Sequence, residues 1–175
     1  MELIYYPNPL LMDKTRPVKS DEVDLAQKIH RMFELMYENN GIGLAAPQVG
    51  WDARLFVLNI GGSKEGEERV FINPRIITRT GTANDTEGCL SFPGLYVKVK
   101  RTREITVEYE DMEFKTCQTK CDGLLARAVQ HEMDHLDNVL LVHRMSHTDK
   151  IRNRKLLDDL REQHDSSLEE DRESQ

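Results

Sequence analysis

The segment His131-Glu132-Met133-Asp134-His135 carries two imidazoles four positions apart, with a carboxylate directly after the first. On a helix that spacing puts both rings on one face, one turn apart, where they can bind a single metal ion. Glu132, about 100° around the axis from His131, can then reach a water on that ion. The chemistry implied is metal-assisted hydrolysis with a carboxylate carrying the proton. Such an ion needs a third protein ligand and an open position. Cys89 is one candidate, in Glu87-Gly88-Cys89-Leu90-Ser91-Phe92-Pro93-Gly94, where glycines let the backbone approach a ligand closely; taken alone it is equally a buried core cysteine. Cys117 and Cys121 compete. With the histidines they spell C-x3-C-x9-H-x3-H, which resembles a zinc-finger module, but the central spacer is shorter than the usual length of about twelve.

A further segment, Gly41-Ile42-Gly43-Leu44-Ala45-Ala46-Pro47-Gln48, sets small residues around one amide. It describes a backbone that approaches something closely, with Gln48 able to donate a side-chain N–H to a developing oxyanion. No Lys-Ser/Thr follows to complete a phosphate loop, and the bland alternative is a tight helix-to-strand connection.

These residues need elements to hold them. Leu25, Ile29, Met32, Phe33 and Met36 recur at helical spacing between Ser20 and Asn40, with Ser20 and Asp21 as capping candidates and Asn39-Asn40-Gly41 as the stop. A second helix is predicted from about Leu124 to Leu136, after the turn Asp122-Gly123. It has two stripes: Leu125, Val129, Met133 and Leu136 face a core, while Leu124, Ala128, His131 and His135 look into a site. Strands are predicted at 55–58 with Ile60, at 70–72, at 76–77, and more clearly at 96–100 and 105–109, with Gly61-Gly62 and Asn73-Pro74 as punctuation. A third helix is expected over 149–163. The fold class that follows is α+β, with antiparallel sheet segments wrapped around a central metal-binding helix and helices toward both termini.

The chain has 175 residues, enough for one domain with its own core. We expect a single catalytic domain over 1–164 and a disordered polar tail over 165–175. Three cysteines suit a reducing compartment better than a disulfide framework. A net charge of −7 argues against general binding to DNA or to a membrane surface. No stretch is long and apolar enough to span a bilayer, and Met1 to Leu11 lacks the order of a secretory signal, so the expected location is the cytoplasm.

Taken together, Gly41–Gln48, Glu87–Ser91 and Gln130–His135 resemble the three motifs of the peptide deformylase family, in its order and at similar separations. The likeness runs from Tyr6-Pro7-Asn8-Pro9 to the helix after Met145 and is greatest to the subgroup common in Gram-negative bacteria and organelles. The resemblance implies removal of the N-formyl group from the initiator methionine of nascent polypeptides, with release of formate. It implies that Cys89, His131 and His135 bind the metal, that Glu132 is the general acid/base, and that Gln48 with the Leu90 backbone N–H stabilises the oxyanion. The methionine side chain is expected against Ile42, Gly43, Leu124, the alkyl stem of Arg127 and Ala128, with the peptide extended beside Gly43 and Gly88. The family implies Fe(II) as the working ion, with nickel or cobalt as active substitutes, although softness favours zinc, which is expected in purified protein.

Further expectations concern supporting residues. Arg101 is expected to pair with Glu87 behind the metal ligands. Helix 149–163 is locally basic and is a candidate for contact with the ribosome. Three departures from the family pattern stand out: Asn138 where glycine is frequent, His143 where an acid is common, and Tyr96 where some members have arginine. A zinc-dependent peptidase using the same helix is the alternative enzyme, but it gives no reason for the Cys89 segment.

Overall fold

The computed structural model describes residues 1–61 and 67–173, with side chains as far as residue 167. Gly62, half of an expected turn, lies outside the described residues. Helix α1 (Leu25–Glu38) buries Ile29, Met32, Phe33 and Met36. It starts later than the Ser20-Asp21 cap suggested, because Glu22 is engaged by a fork from Arg16 and its backbone N–H turns back to Lys19. Its end is the expected one, with Asn40 in the left-handed region at φ 55° and Gly41 N–H returning to the Met36 carbonyl.

Five antiparallel strands follow in sequential order: β1 (Gly43–Ala45), β2 (Leu55–Leu58), β3 (Arg69–Cys89), β4 (Phe92–Glu110) and β5 (Thr116–Cys121). The short apolar runs at 70–72 and 76–77 are parts of one long strand, not two. Asn73, at φ 50°, kinks β3 without ending it, and its side chain bonds both the N–H and the carbonyl of Val18. Register shifts after Ile72 and Ile76 absorb the kink. Strand β5 escapes a periodicity reading because its outward positions are polar and its buried end is a single cysteine.

Helix α2 (Gly123–Leu136) packs against β1, β2 and β4. Ala126, Val129, Met133 and Leu136 fill one core with Phe56, Phe71, Ile105 and Val107, and Leu125 packs on its edge. A second core joins α1 to β1, β2 and Trp51. A third sets Phe92, Leu95, Val97 and Val99 against Leu140, Leu141, Met145, Leu157 and Leu160. The expected helix 149–163 is two helices, α4 (His147–Arg152) and α5 (Arg154–Glu173), after the short α3 (Leu141–Arg144). Asn153 ends α4, its side-chain amide bonding the Asp149 carbonyl. The tail expected to lack structure prolongs α5 to Glu173, since extending a formed helix costs far less than starting one.

Candidate active site

Three elements deliver the site. Helix α2 presents its second stripe to a cleft of about 630 Å³, where Leu124, Ala128, His131 and Glu132 form one wall. The end of β3 and its turn into β4 supply Glu87, Gly88, Cys89 and Leu90, and the segment from Ile42 through β1 to Gln48 supplies the rest. Glu87 to Cys89 is thus strand, and only Leu90-Ser91 is turn.

The ligand atoms of Cys89, His131 and His135 all lie within 4.8 Å of one another. Cys89 Sγ is 3.3 Å from His135 Nε2. Sulfur and nitrogen ligands on a tetrahedral ion are about 3.5 Å apart, so the spacing and the donor chemistry fit one divalent ion. Cys121 is instead buried in the sheet core, where burial pushes its thiol up to about 11, and Cys117 bonds Asp111. Neither joins the cluster, which removes the zinc-finger pattern.

Behind the ligands lies a buried charge network. His131 Nδ1 meets Glu87 Oε2 at 3.0 Å, which leaves Nε2 free for a metal. Arg101 grips both oxygens of Glu87 at 2.8 Å and reaches Asp134 at 2.5 Å. Arg127 adds a second guanidinium on Glu87 Oε1 and bonds the Val99 carbonyl at 3.0 Å. Arg127 lines the cleft, and its guanidinium ties α2 to the ribbon of β3 and β4. Burial alone would raise the Glu87 carboxyl; hydrogen bonds and charge from Arg101 and His131 outweigh it and hold the group down at about 2. Glu132 has no such cationic grip, and burial pushes it up to about 7. Among the described residues, one of its oxygens is buried without a partner, the state of a carboxylate with an unused proton-accepting position. Burial holds the His135 imidazole well below its ordinary value.

Gly43 and Gly88 are required by close approach. A Cβ on Gly43 would lie 2.6 Å from Leu58 and strike Glu132, and one on Gly88 would lie 2.7 Å from the Tyr96 ring. Tyr96, opposite Gly88 across β3 and β4, stands 70% exposed at the cleft rim. Tyr5, Asn39, Asn40 and Thr86 also line the cleft and were not foreseen. The last three adjoin motif residues, whereas Tyr5 reaches the site only through the fold. Asn138, at φ 61°, holds the left-handed turn and also bonds the carbonyls of Met12 and Asp13, which glycine could not do. His143 Nδ1 accepts the Leu140 N–H, closing the start of α3.

The chain matches the family model described as polypeptide deformylase over residues 1–151. It is 44% identical over 146 residues to a peptide deformylase of Chromobacterium violaceum, covering 83% of this chain and 87% of that one. A peptide deformylase of Rhizobium meliloti is 43% identical over 148 residues, covering 82% and 84%. Among solved structures, peptide deformylase 1B of Arabidopsis thaliana in complex with an inhibitor superposes with a TM-score of 0.90 at 36% identity, covering 95% of this chain and 93% of that one. The enzyme of Legionella pneumophila superposes with a TM-score of 0.85 at 37% identity, covering 93% and 96%.

Proposed function

The chain belongs to the polypeptide deformylase family, and from that membership we infer that it removes the N-formyl group from the methionine of nascent polypeptides and releases formate. The observation that carries this reading is the meeting of Cys89, His131 and His135, with Cys89, His131 and Glu132 lining the cleft and one Glu132 oxygen without a partner among the described residues. The three ligands would hold one divalent ion, which supplies Lewis acidity to the formyl carbonyl and lowers the pKa of water. We take Fe(II) as the ion in the cell, with zinc, nickel or cobalt as replacements; support comes from the family likeness and from the tolerance of a Cys-His-His set for these metals.

Glu132 takes a proton from the attacking water and returns it to the departing amine nitrogen as the C–N bond breaks. Gln48 Nε2 and the Leu90 backbone N–H donate to the formyl oxygen as charge builds on it. Glu87, held by Arg101, fixes the tautomer and orientation of His131. The methionine side chain lies along Ile42, Gly43, Leu124, Ala128 and the Arg127 stem, and the peptide backbone extends between Gly43 and Gly88. We assign all of this to a single catalytic domain over 1–164.

The location we propose is the cytoplasm; no helix among the described residues is long and apolar enough to cross a membrane. Contact with the ribosome is proposed for the 149–163 region, where Lys150, Arg152, Arg154 and Lys155 are all exposed. The deciding assay loads the protein anaerobically with iron and compares formate release from a formyl-methionyl peptide with cleavage of internal peptide bonds. Formate without internal cleavage is expected. Internal cleavage without formate would replace this reading with the zinc-dependent peptidase.

A further inference from the structure

Gln48 and Ser91 belong to separate motifs and are 1% and 0% exposed. Their side chains meet: Gln48 Nε2 donates to Ser91 Oγ at 3.1 Å. The other end of the carboxamide is also held, since Oε1 accepts the Ala45 backbone N–H at 2.8 Å. That second bond decides which way the amide faces, because a flipped amide would set its NH2 against an N–H. One Nε2 proton therefore goes to Ser91, and the other is donated to Cys89 Sγ at 3.6 Å, on the side of the ligand cluster.

The backbones of the two residues are held by one short segment. Ile4 N–H donates to the Gln48 carbonyl at 2.8 Å, and Tyr6 N–H donates to the Ser91 carbonyl at 2.9 Å. Tyr6 itself stacks on Phe92 at 4.7 Å, and Arg161 of α5 donates to its hydroxyl at 2.8 Å. The segment thus fastens both motifs to each other from behind the site.

We propose that Ser91 is a positioning residue for the hydrolysis, its hydroxyl anchoring one N–H of the Gln48 carboxamide so that the other is aimed at the formyl oxygen. The inference rests on the assignment of Gln48 as an oxyanion donor. A terminal carboxamide turns in a broad torsional well, so an unanchored donor samples many directions. Fixing it before charge develops makes the donor effective without reorganisation in the transition state.

The test is a double-mutant cycle on nickel-loaded enzyme with Ser91→Ala, Gln48→Ala and the pair, reading kcat, KM and metal per chain. Ser91→Ala should lower kcat about tenfold, with KM within about twofold and metal unchanged. In the Gln48→Ala background the same change should alter kcat less than about twofold, since the anchor then has nothing to hold. An equal loss in both backgrounds, or undiminished kcat in Ser91→Ala, overturns the proposal. Undiminished kcat in Gln48→Ala removes the oxyanion role and the inference with it. Should Ser91→Ala fail to load metal, the wild-type side-chain amide of Gln48 decides by NMR: two well-separated, slowly exchanging protons support the anchor, and a rapidly rotating, degenerate pair refutes it.

Discussion

Glu132 and Glu87 are two buried carboxylates a few residues apart in space with opposite tasks, and their surroundings separate them. Burial would raise Glu87, but hydrogen bonds and charge from Arg101 and His131 hold it down at about 2; Glu132 has no hydrogen bond from either, and burial raises it to about 7 against their charges. The first is suited to hold a ligand and the second to exchange a proton. Glu132→Gln should therefore retain the metal yet lose activity by at least about a hundredfold. Metal content by plasma emission beside kcat checks it, and near-wild-type activity in a loaded variant would discard the assignment. Glu87 and Arg101 should act as one unit. Glu87→Ala and Arg101→Ala should each speed metal loss to a chelator, and the double variant should do little worse than the poorer single one. Strictly additive losses would show that the contact of 2.8 Å contributes nothing to metal retention.

Among the elements, β1 has the least tolerance. It is only Gly43–Ala45, wholly buried, paired to β2 on one side and overlain by α2. Gly43 faces the helix so closely that a methyl group would meet Leu58 at 2.6 Å and push on the Glu132 carboxylate. Gly43→Ala is predicted to lower the melting temperature by several degrees, as overpacking costs about 1–3 kcal/mol. It should also cut kcat by about a hundredfold, the usual consequence of moving a catalytic group by about an ångström. Calorimetry and kinetics on the same preparation test both, and a stable, fully active variant would mean that β1 yields more readily than its packing implies.

At the scale of the whole molecule, a chain of net charge −7 concentrates exposed cations where α4 meets α5. Lys150, Arg152, Arg154 and Lys155 face solvent together with Ile151, which is 63% exposed. Leu157 and Leu160 are buried in the third core, with Leu156 packed against it. Changing the four cations to glutamine should leave activity on a short formyl-peptide intact while abolishing salt-sensitive co-sedimentation with ribosomes. Equal sedimentation of the variant and the wild type, at low and moderate salt, would rule out ribosome contact through this surface. Substitution is the better probe here, because truncation after Thr148 would strip Leu157 and Leu160 from the third core.

Local chemistry and periodicity sufficed for much of this protein. Helix α2 and its two faces follow from apolar spacing alone, because one-turn neighbours must share a face whatever surrounds them. The three motifs together named the family by resemblance, and they contain the Cys89, His131 and His135 side chains that the fold gathers into one cluster. Long-range pairing was not readable. That β3 runs unbroken through Asn73-Pro74 depends on Val18 bonding Asn73, and that β5 exists at all depends on its register with β4. Ser91 bonded to Gln48, Arg127 on Glu87 and Tyr5 in the cleft lining are equally tertiary facts. Each joins residues far apart in the chain, and a side chain's partner is decided by which surfaces the packed core brings together, a choice that local spacing does not encode.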